Sequence, residues 1–234
     1  MIRLLALAIA ASTPDSLAPD FLKIDVSTHE AIEQNWSGAQ NPVPVGSLVK
    51  PFLALAYSGE WPEHVCSGEH CWLSRGHGRL KFREALAQSC NEYFLNLAER
   101  VDADALALVA RKYGITPPEN DSAQARIGLG TGWKIPPLAL ARAYAELSSR
   151  ASEPRVAEIL EGLRLAAQSG TARAIGGGRM AKTGTAQCLS RQKDAGDGFV
   201  LVIEPAEAPR AVLLIRVHGT TGAAAAKIAA KMLK

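Results

Sequence analysis

Three pieces of this chain carry residue types that can make and break an acyl bond. In chain order they are Ser47-x-x-Lys50, Ser89-x-Asn91 and Lys182-Thr183-Gly184. A serine hydroxyl is a weak nucleophile and attacks a carbonyl only when a base takes its proton. None of His29, His64, His70, His77 and His218 sits in a context that marks it as that base, and there is no G-x-S-x-G elbow. The best base by spacing is Lys50, one helical turn beyond Ser47. A free lysine, with a pKa of ~10.4, is almost wholly protonated at neutral pH. Working as a base near pH 7 requires a depression worth ~4 kcal/mol, which burial and a second cation can supply. Lys182 is the obvious second cation if the fold brings it across the same cleft.

The remaining residues take roles around that pair. The Ser89 hydroxyl is suited to relaying a proton to a leaving amine. The Asn91 amide is suited to holding a peptide group of the substrate and orienting Lys50. Thr183 and Thr185 flank Lys182 with hydroxyls and make a strip for a carboxylate, while Gly184 admits a substrate backbone at close range. The backbone N–H groups of Ser47 and Thr185 are candidates for an oxyanion hole. Each short motif alone is weak: Ser47 and Ser89 also read as helix caps, and Lys182 as a solvated strand end. The weight lies in all three occurring in this order, each in fitting local structure.

Several elements must position these residues. Residues 21–36 (FLKIDVSTHEAIEQNW) read as a hairpin turning at Ser27 to Glu30. After a Pro- and Gly-rich loop, Leu48, Phe52, Leu55 and Ala56 recur at helical spacing. Pro51 is tolerated only where backbone N–H groups lack partners, so this helix begins close to Ser47. Its N-terminal dipole then favours negative charge building there. Residues 66–80 read as an irregular connection, with helices on both sides of Ser89. An amphipathic helix closes at Gly114, another runs from about Pro137 to Ser149, and a third ends at Gly170. The remainder reads as strands through Lys182, Phe199 to Ile203 and Ala211 to Val217, then a helix over 222–234. The fold class expected is α+β: an antiparallel sheet from both chain ends (21–45 and 178–218), packed by helices, with a mostly helical lobe (50–170) inserted. Residues 20–234 are expected to form one domain.

The 234 residues are enough for one sizeable core. The net charge is +3, the basic residues are scattered and aromatics make up only 6%, which argues against a nucleic-acid partner. GLGTG is followed by a Pro pair and fed by no strand, so it is not a dinucleotide fingerprint. Nothing in the pattern indicates a cofactor. Residues 1–11 (MIRLLALAIAA) have the layout of a short secretory signal, cleaved after Ala10 or Ala11. The apolar run is far too short to span a bilayer, which takes ~20 residues. An extracytoplasmic location follows as an expectation. It permits disulfides, and Cys66 with Cys71 is the candidate pair. CSGEHC lacks the second cysteine pair of a zinc signature, so no metal is expected. Cys90 and Cys188 read either as neighbours in the fold or as small buried thiols.

Together these pieces resemble the transpeptidase domain of penicillin-binding proteins, in a short, soluble form. The likeness rests on PVGSLVKPF around Ser47, on Cys71 to Phe94 (CW…HG…SCN-YF), on IGLGTGWKIPPLALARAYAEL, and on SGTAR and AKTGTAQ. It spans nearly everything from residue 20 onward. The intervals between the motifs are short for the family, which implies a pared-down helical lobe. What the resemblance implies is a serine acyl-enzyme mechanism on D-alanyl-D-alanine stem peptides of peptidoglycan, as transpeptidase or D,D-carboxypeptidase. Ser47 would be the nucleophile, Lys50 the base, Ser89 and Asn91 the second motif, and Lys182 with Thr183 and Thr185 the carboxylate site. β-Lactams would be covalent inhibitors. The alternatives are a serine β-lactamase, and a non-catalytic β-lactam or muropeptide sensor or scaffold. The sequence names no protein partner.

Overall fold

In the computed structural model, which describes residues 18–187 and 196–233, the main sheet is assembled from segments far apart in sequence. The expected leader (1–11) and Cys188 lie outside the described residues. In order, the elements are β1 (Asp20–Asp25), β2 (Ala31–Gln34), β3 (Val43–Pro44), a 3₁₀ turn (Gly46–Val49), α1 (Lys50–Ala56), β4 (His64–Cys66) and β5 (Gly78–Leu80). Then come α2 (Phe82–Ala87), α3 (Asn91–Ala98), α4 (Ala103–Lys112), α5 (Ala123–Arg126), β6 (Lys134–Ile135), α6 (Pro137–Ser149) and α7 (Pro154–Gln168). The chain closes with β7 (Met180–Ala186), β8 (Asp197–Glu204), β9 (Ala211–His218) and α8 (Gly222–Met232).

The main sheet runs β2-β1-β9-β8-β7, with every pair antiparallel. The first hairpin therefore joins the last strands, with Asp20 opposite Arg216 and Asp25 opposite Ala211. The Arg216 guanidinium donates two hydrogen bonds to Asp20 Oδ2, at 2.8 and 2.6 Å, and stacks over Trp36 at 4.4 Å. Strand side chains alternate between faces. Phe199, Leu201 and Ile203 of β8 pack with Leu22, Ile24, Val212 and Leu214 in the core shared with the helical lobe. Val200, Val202, Leu213 and Ile215 pack with Ala225, Ala226 and Ala229 of α8. The small side chains of α8 let its backbone lie close to the strands. Helix α6 crosses the opposite face over β9 and β1, and α7 runs beside β7, the edge strand.

Two local expectations are corrected. Val43 and Pro44 do not join the main sheet; they pair with Ile135 and Lys134 of β6 in a separate two-stranded ladder. Proline has no N–H to donate, which confines it to short edges of this kind. Residues 66–80 are also not wholly irregular, because β4 and β5 pair from His64–Leu80 to Cys66–Gly78 and frame the loop between them. The helix after Ser47 opens with the 3₁₀ turn, and Pro51 falls in the first turn of α1, where its missing N–H has no consequence. Among the described residues, no helix is long and apolar enough to cross a membrane.

Candidate active site

Ser47 lies half-buried on the 3₁₀ turn, which is wedged against β7. Two glycines make that wedge fit. At Gly46, whose φ is +59°, an added Cβ would lie 2.4 Å from the Thr185 carbonyl oxygen. At Gly184 it would lie 2.6 Å from the Val45 carbonyl oxygen and 3.0 Å from Leu48. The close approach at Gly184 is thus made by this chain's own backbone, a different reason for glycine than the substrate contact expected. From the other side, the buried Tyr144 hydroxyl of α6 donates to the Leu48 carbonyl at 2.7 Å. The Ser47 turn is held between strand and helix.

Ser89 occupies the corner between α2 and α3. The Cys90 N–H donates to the Ala85 carbonyl at 2.9 Å and the Ser89 N–H to the Leu86 carbonyl at 3.1 Å, the pair of bonds that define a Schellman helix end. The residue at its left-handed position is usually glycine, yet here it is Ser89, with φ +52°. A non-glycine residue pays ~1–2 kcal/mol for that conformation. The hydroxyl it carries is where the structure uses the residue: Ser89 Oγ accepts from Lys182 Nζ at 2.8 Å and lies 3.4 Å from Lys50 Nζ.

Both lysines are fully buried. Lys50 Nζ also donates to the Ser89 carbonyl and to Asn91 Oδ1, each at 2.8 Å, and lies over the Phe94 ring at 5.2 Å. Burial lowers the Lys50 pKa to about 7, against a smaller opposing effect from Cys90 and Cys71. Lys182 Nζ donates to Ser89 Oγ and to the Thr183 carbonyl. Burial, and then the neighbouring Lys50, hold Lys182 well below the ordinary lysine value. The expected pairing of the two cations is present, and burial, one of the two expected causes, is what chiefly lowers Lys50.

Thr183 and Thr185 sit on β7 as expected, but their hydroxyls already have partners. Thr183 Oγ1 donates to Thr171 Oγ1 at 2.6 Å, tying β7 to the SGTAR segment. Thr185, which is exposed, accepts the Gly222 N–H at the start of α8 at 2.9 Å. Thr171 and Tyr144 therefore belong to the supporting frame. The sequence offered SGTAR as a family-like piece, but nothing in it pointed to Tyr144.

The expected Cys66–Cys71 disulfide is not formed; Cys66, Cys71 and Cys90 are free thiols. The Sγ atoms of Cys66 and Cys71 each turn to His77 Nδ1, at 3.5 Å, and Cys71 Sγ lies 3.8 Å from Cys90 Sγ. The loop after β4 is also fastened by Glu92, whose buried carboxylate accepts the N–H groups of Ser67, Gly68 and His70. Burial would raise the Glu92 pKa, but these donors outweigh it and hold the carboxyl at about 2. Glu92 was not picked out from the sequence, because a lone acid in a helix's first turn usually faces solvent.

Ser89, Asn91, Lys50 and Lys182 thus meet at one place, with Ser47 on the clamped turn that leads into the helix bearing Lys50. The chain belongs to the penicillin-binding protein transpeptidase domain family, whose model matches residues 24–234. No curated protein matches the sequence. Among solved structures, it is similar to PBP2 of Pseudomonas aeruginosa (TM-score 0.76, 17% identity), covering 92% of this chain and 70% of that one. It is also similar to PBP2 of Helicobacter pylori, solved with MreC (TM-score 0.77, 17% identity, 92% of this chain and 59% of that one). A third is penicillin-binding protein A of M. tuberculosis as a ceftriaxone acyl-enzyme complex (TM-score 0.75, 17% identity, 92% and 73%). At such identities the likeness concerns the fold, which is the mixed α+β fold expected.

Proposed function

We propose that this chain is a penicillin-binding acyltransferase that acts on D-alanyl-D-alanine stem peptides of peptidoglycan through an acyl-enzyme on Ser47. The observation that carries the reading is Ser89 Oγ, placed between Lys182 Nζ and Lys50 Nζ, with Lys50 held in addition by Asn91. A neutral Lys50 donates its two N–H groups to the Ser89 carbonyl and Asn91 Oδ1, leaving its lone pair for a proton. Ser47 Oγ attacks the penultimate D-alanine carbonyl while its proton passes to Lys50 Nζ. The N–H groups of Ser47 and Thr185 receive the developing oxyanion. The C–N bond then breaks, and the departing D-alanine nitrogen takes its proton from Lys50 by way of the Ser89 hydroxyl. The substrate's terminal carboxylate lies against Lys182, Thr183 and Thr185. The ester on Ser47 is released by an amine of a neighbouring strand, which makes a crosslink, or by water, which makes a shortened peptide.

The family membership supports this reading, as does the acyl-enzyme seen in the mycobacterial relative. Work on peptidoglycan also places the enzyme outside the cytoplasmic membrane, with residues 1–11 as its export signal. The test is release of D-alanine from a stem pentapeptide, with and without an added acceptor amine. D-alanine release that disappears in Ser47→Ala is expected. A folded protein that releases none, yet hydrolyses penicillin with many turnovers, is a β-lactamase instead.

A further inference from the structure

We propose that Cys66, Cys71, His77 and Cys90 form a tetrahedral zinc site that pins the second motif to the loop between β4 and β5. The four ligand atoms lie within 4.8 Å of one another. A tetrahedral zinc with Zn–S of ~2.3 Å and Zn–N of ~2.0–2.1 Å sets its sulfurs ~3.8 Å apart and each sulfur ~3.6 Å from the nitrogen. The separations are 3.8 Å for Cys71–Cys90 and 3.5 Å from His77 Nδ1 to both Cys66 and Cys71. Those spacings match three of the six edges of the expected tetrahedron, and the other three are within 4.8 Å.

Hydrogen bonding alone explains the cluster poorly. A neutral imidazole nitrogen offers one lone pair, and two thiols crowd the same one. Backbone donors also point at the sulfurs: the Asn91 N–H at Cys71 Sγ (3.4 Å) and the Tyr93 N–H at Cys90 Sγ (3.5 Å). A metal-bound thiolate keeps lone pairs that accept such N–H groups. The donor set, three soft sulfurs and one imidazole, suits zinc rather than a hard cation. Four protein ligands leave no open position, so the site is structural rather than catalytic. On binding, each thiol releases its proton to solvent and the neutral imidazole keeps its proton on Nε2. Three thiolates with one zinc carry a net single negative charge, next to the motif that holds two buried lysines.

The ligands follow the spacing C-x4-C-x5-H-x12-C. Cys66 ends β4, Cys71 and His77 lie in the loop, and Cys90 caps α3. Cys90 is also the residue between Ser89 and Asn91, whose oxygens hold Lys50. A metal bond to Cys90 therefore fixes the corner that carries both. This positioning role rests on the acyl-transfer reading; the metal site itself does not.

The experiment is metal analysis of the reduced, purified full chain after incubation with zinc and gel filtration. It is followed by replacement with cobalt, whose thiolate complexes absorb visibly when tetrahedral. One zinc per chain and the tetrahedral cobalt spectrum are expected. His77→Ala is expected to weaken binding by at least ~10-fold, since even partners outside the coordination sphere carry 10–100-fold effects. Removing zinc with a chelator is expected to slow penicillin acylation and to leave Ser47→Ala unlabelled as before. Reduced wild-type protein that retains no metal overturns the proposal, as does an unchanged affinity in His77→Ala. A Cys71–Cys90 disulfide that persists in reductant and excludes zinc overturns it too. Zinc binding with no labelling at all keeps the metal site and rejects the acyl-transfer reading. Equal acylation with and without zinc removes the positioning role.

Discussion

Lys50 combines two demands on one side chain: it must be buried, and it must be able to lose its proton. Its pKa of about 7, set by burial, means the base form is populated at neutral pH. The acylation rate is accordingly expected to rise with pH through a midpoint near 7, measurable by stopped-flow with a chromogenic cephalosporin. Lys182 is also held well below the ordinary lysine value, by burial and then by Lys50, and burial is the chief influence on Lys50 itself. Lys182→Gln is expected to leave the midpoint nearly in place and to weaken carboxylate-bearing ligands instead. A midpoint that rises by a full unit in Lys182→Gln would show that Lys182 is charged and depresses Lys50. The same burial has a stability cost. The folded pKa lies below the unfolded value of 10.5, so the unfolded chain binds the extra proton between those values. The cost is full below about pH 7 and vanishes above about 10.5. Lys50→Met is therefore expected to abolish labelling yet raise the melting temperature, more at pH 6 than at pH 9. An equal change at both values would contradict the account.

At the scale of elements, the site depends on one turn and one corner. The 3₁₀ turn carrying Ser47 fits only because Gly46 and Gly184 bring it onto β7 without side chains between them. Gly184→Ala places a methyl 2.6 Å from the Val45 carbonyl oxygen, which must move and take Ser47 with it. A shift approaching 1 Å at a reacting group costs ~100-fold in rate. The expected result is a ~10- to 100-fold slower acylation with a melt that remains cooperative; an unchanged rate would mean that the turn does not set the Ser47 position. These elements were largely legible in the sequence. Pro51 located the start of the helix after Ser47, and the two apolar runs after residue 196 located β8 and β9. The ladders β3–β6 and β4–β5 were not legible, because strands of two or three residues hold no period to read. The left-handed Ser89 was hidden too: its conformation is imposed by the corner between two helices, not by its own preference.

At the scale of the whole molecule, β1 closes on β9 across most of the chain, so the sheet cannot be completed until both ends are present. Leu22 and Ile24 of β1 are wholly buried, and Asp20 holds Arg216. A chain starting at Trp36 is expected to be insoluble or unfolded; a cooperative melt with normal penicillin labelling would contradict that. This closing pattern was readable from hydrophobic patterning at the two ends. The gathering of Cys66, Cys71, His77 and Cys90 was not, because the ligands come from a strand, a loop and a helix cap that meet only once the helical lobe is packed. The same is true of Lys182 and Lys50. Their types and order suggested a shared site, and burial was an expected cause of the Lys50 depression, but that burial outweighs the second cation became visible only with the packed lobe.

Acylation of Ser47 is tested most directly by peptide mapping with mass spectrometry after brief exposure to penicillin. One penicilloyl adduct is expected, on the peptide containing Ser47, persisting for hours and absent from Ser47→Ala. An adduct on another residue, or one retained in Ser47→Ala, would contradict it.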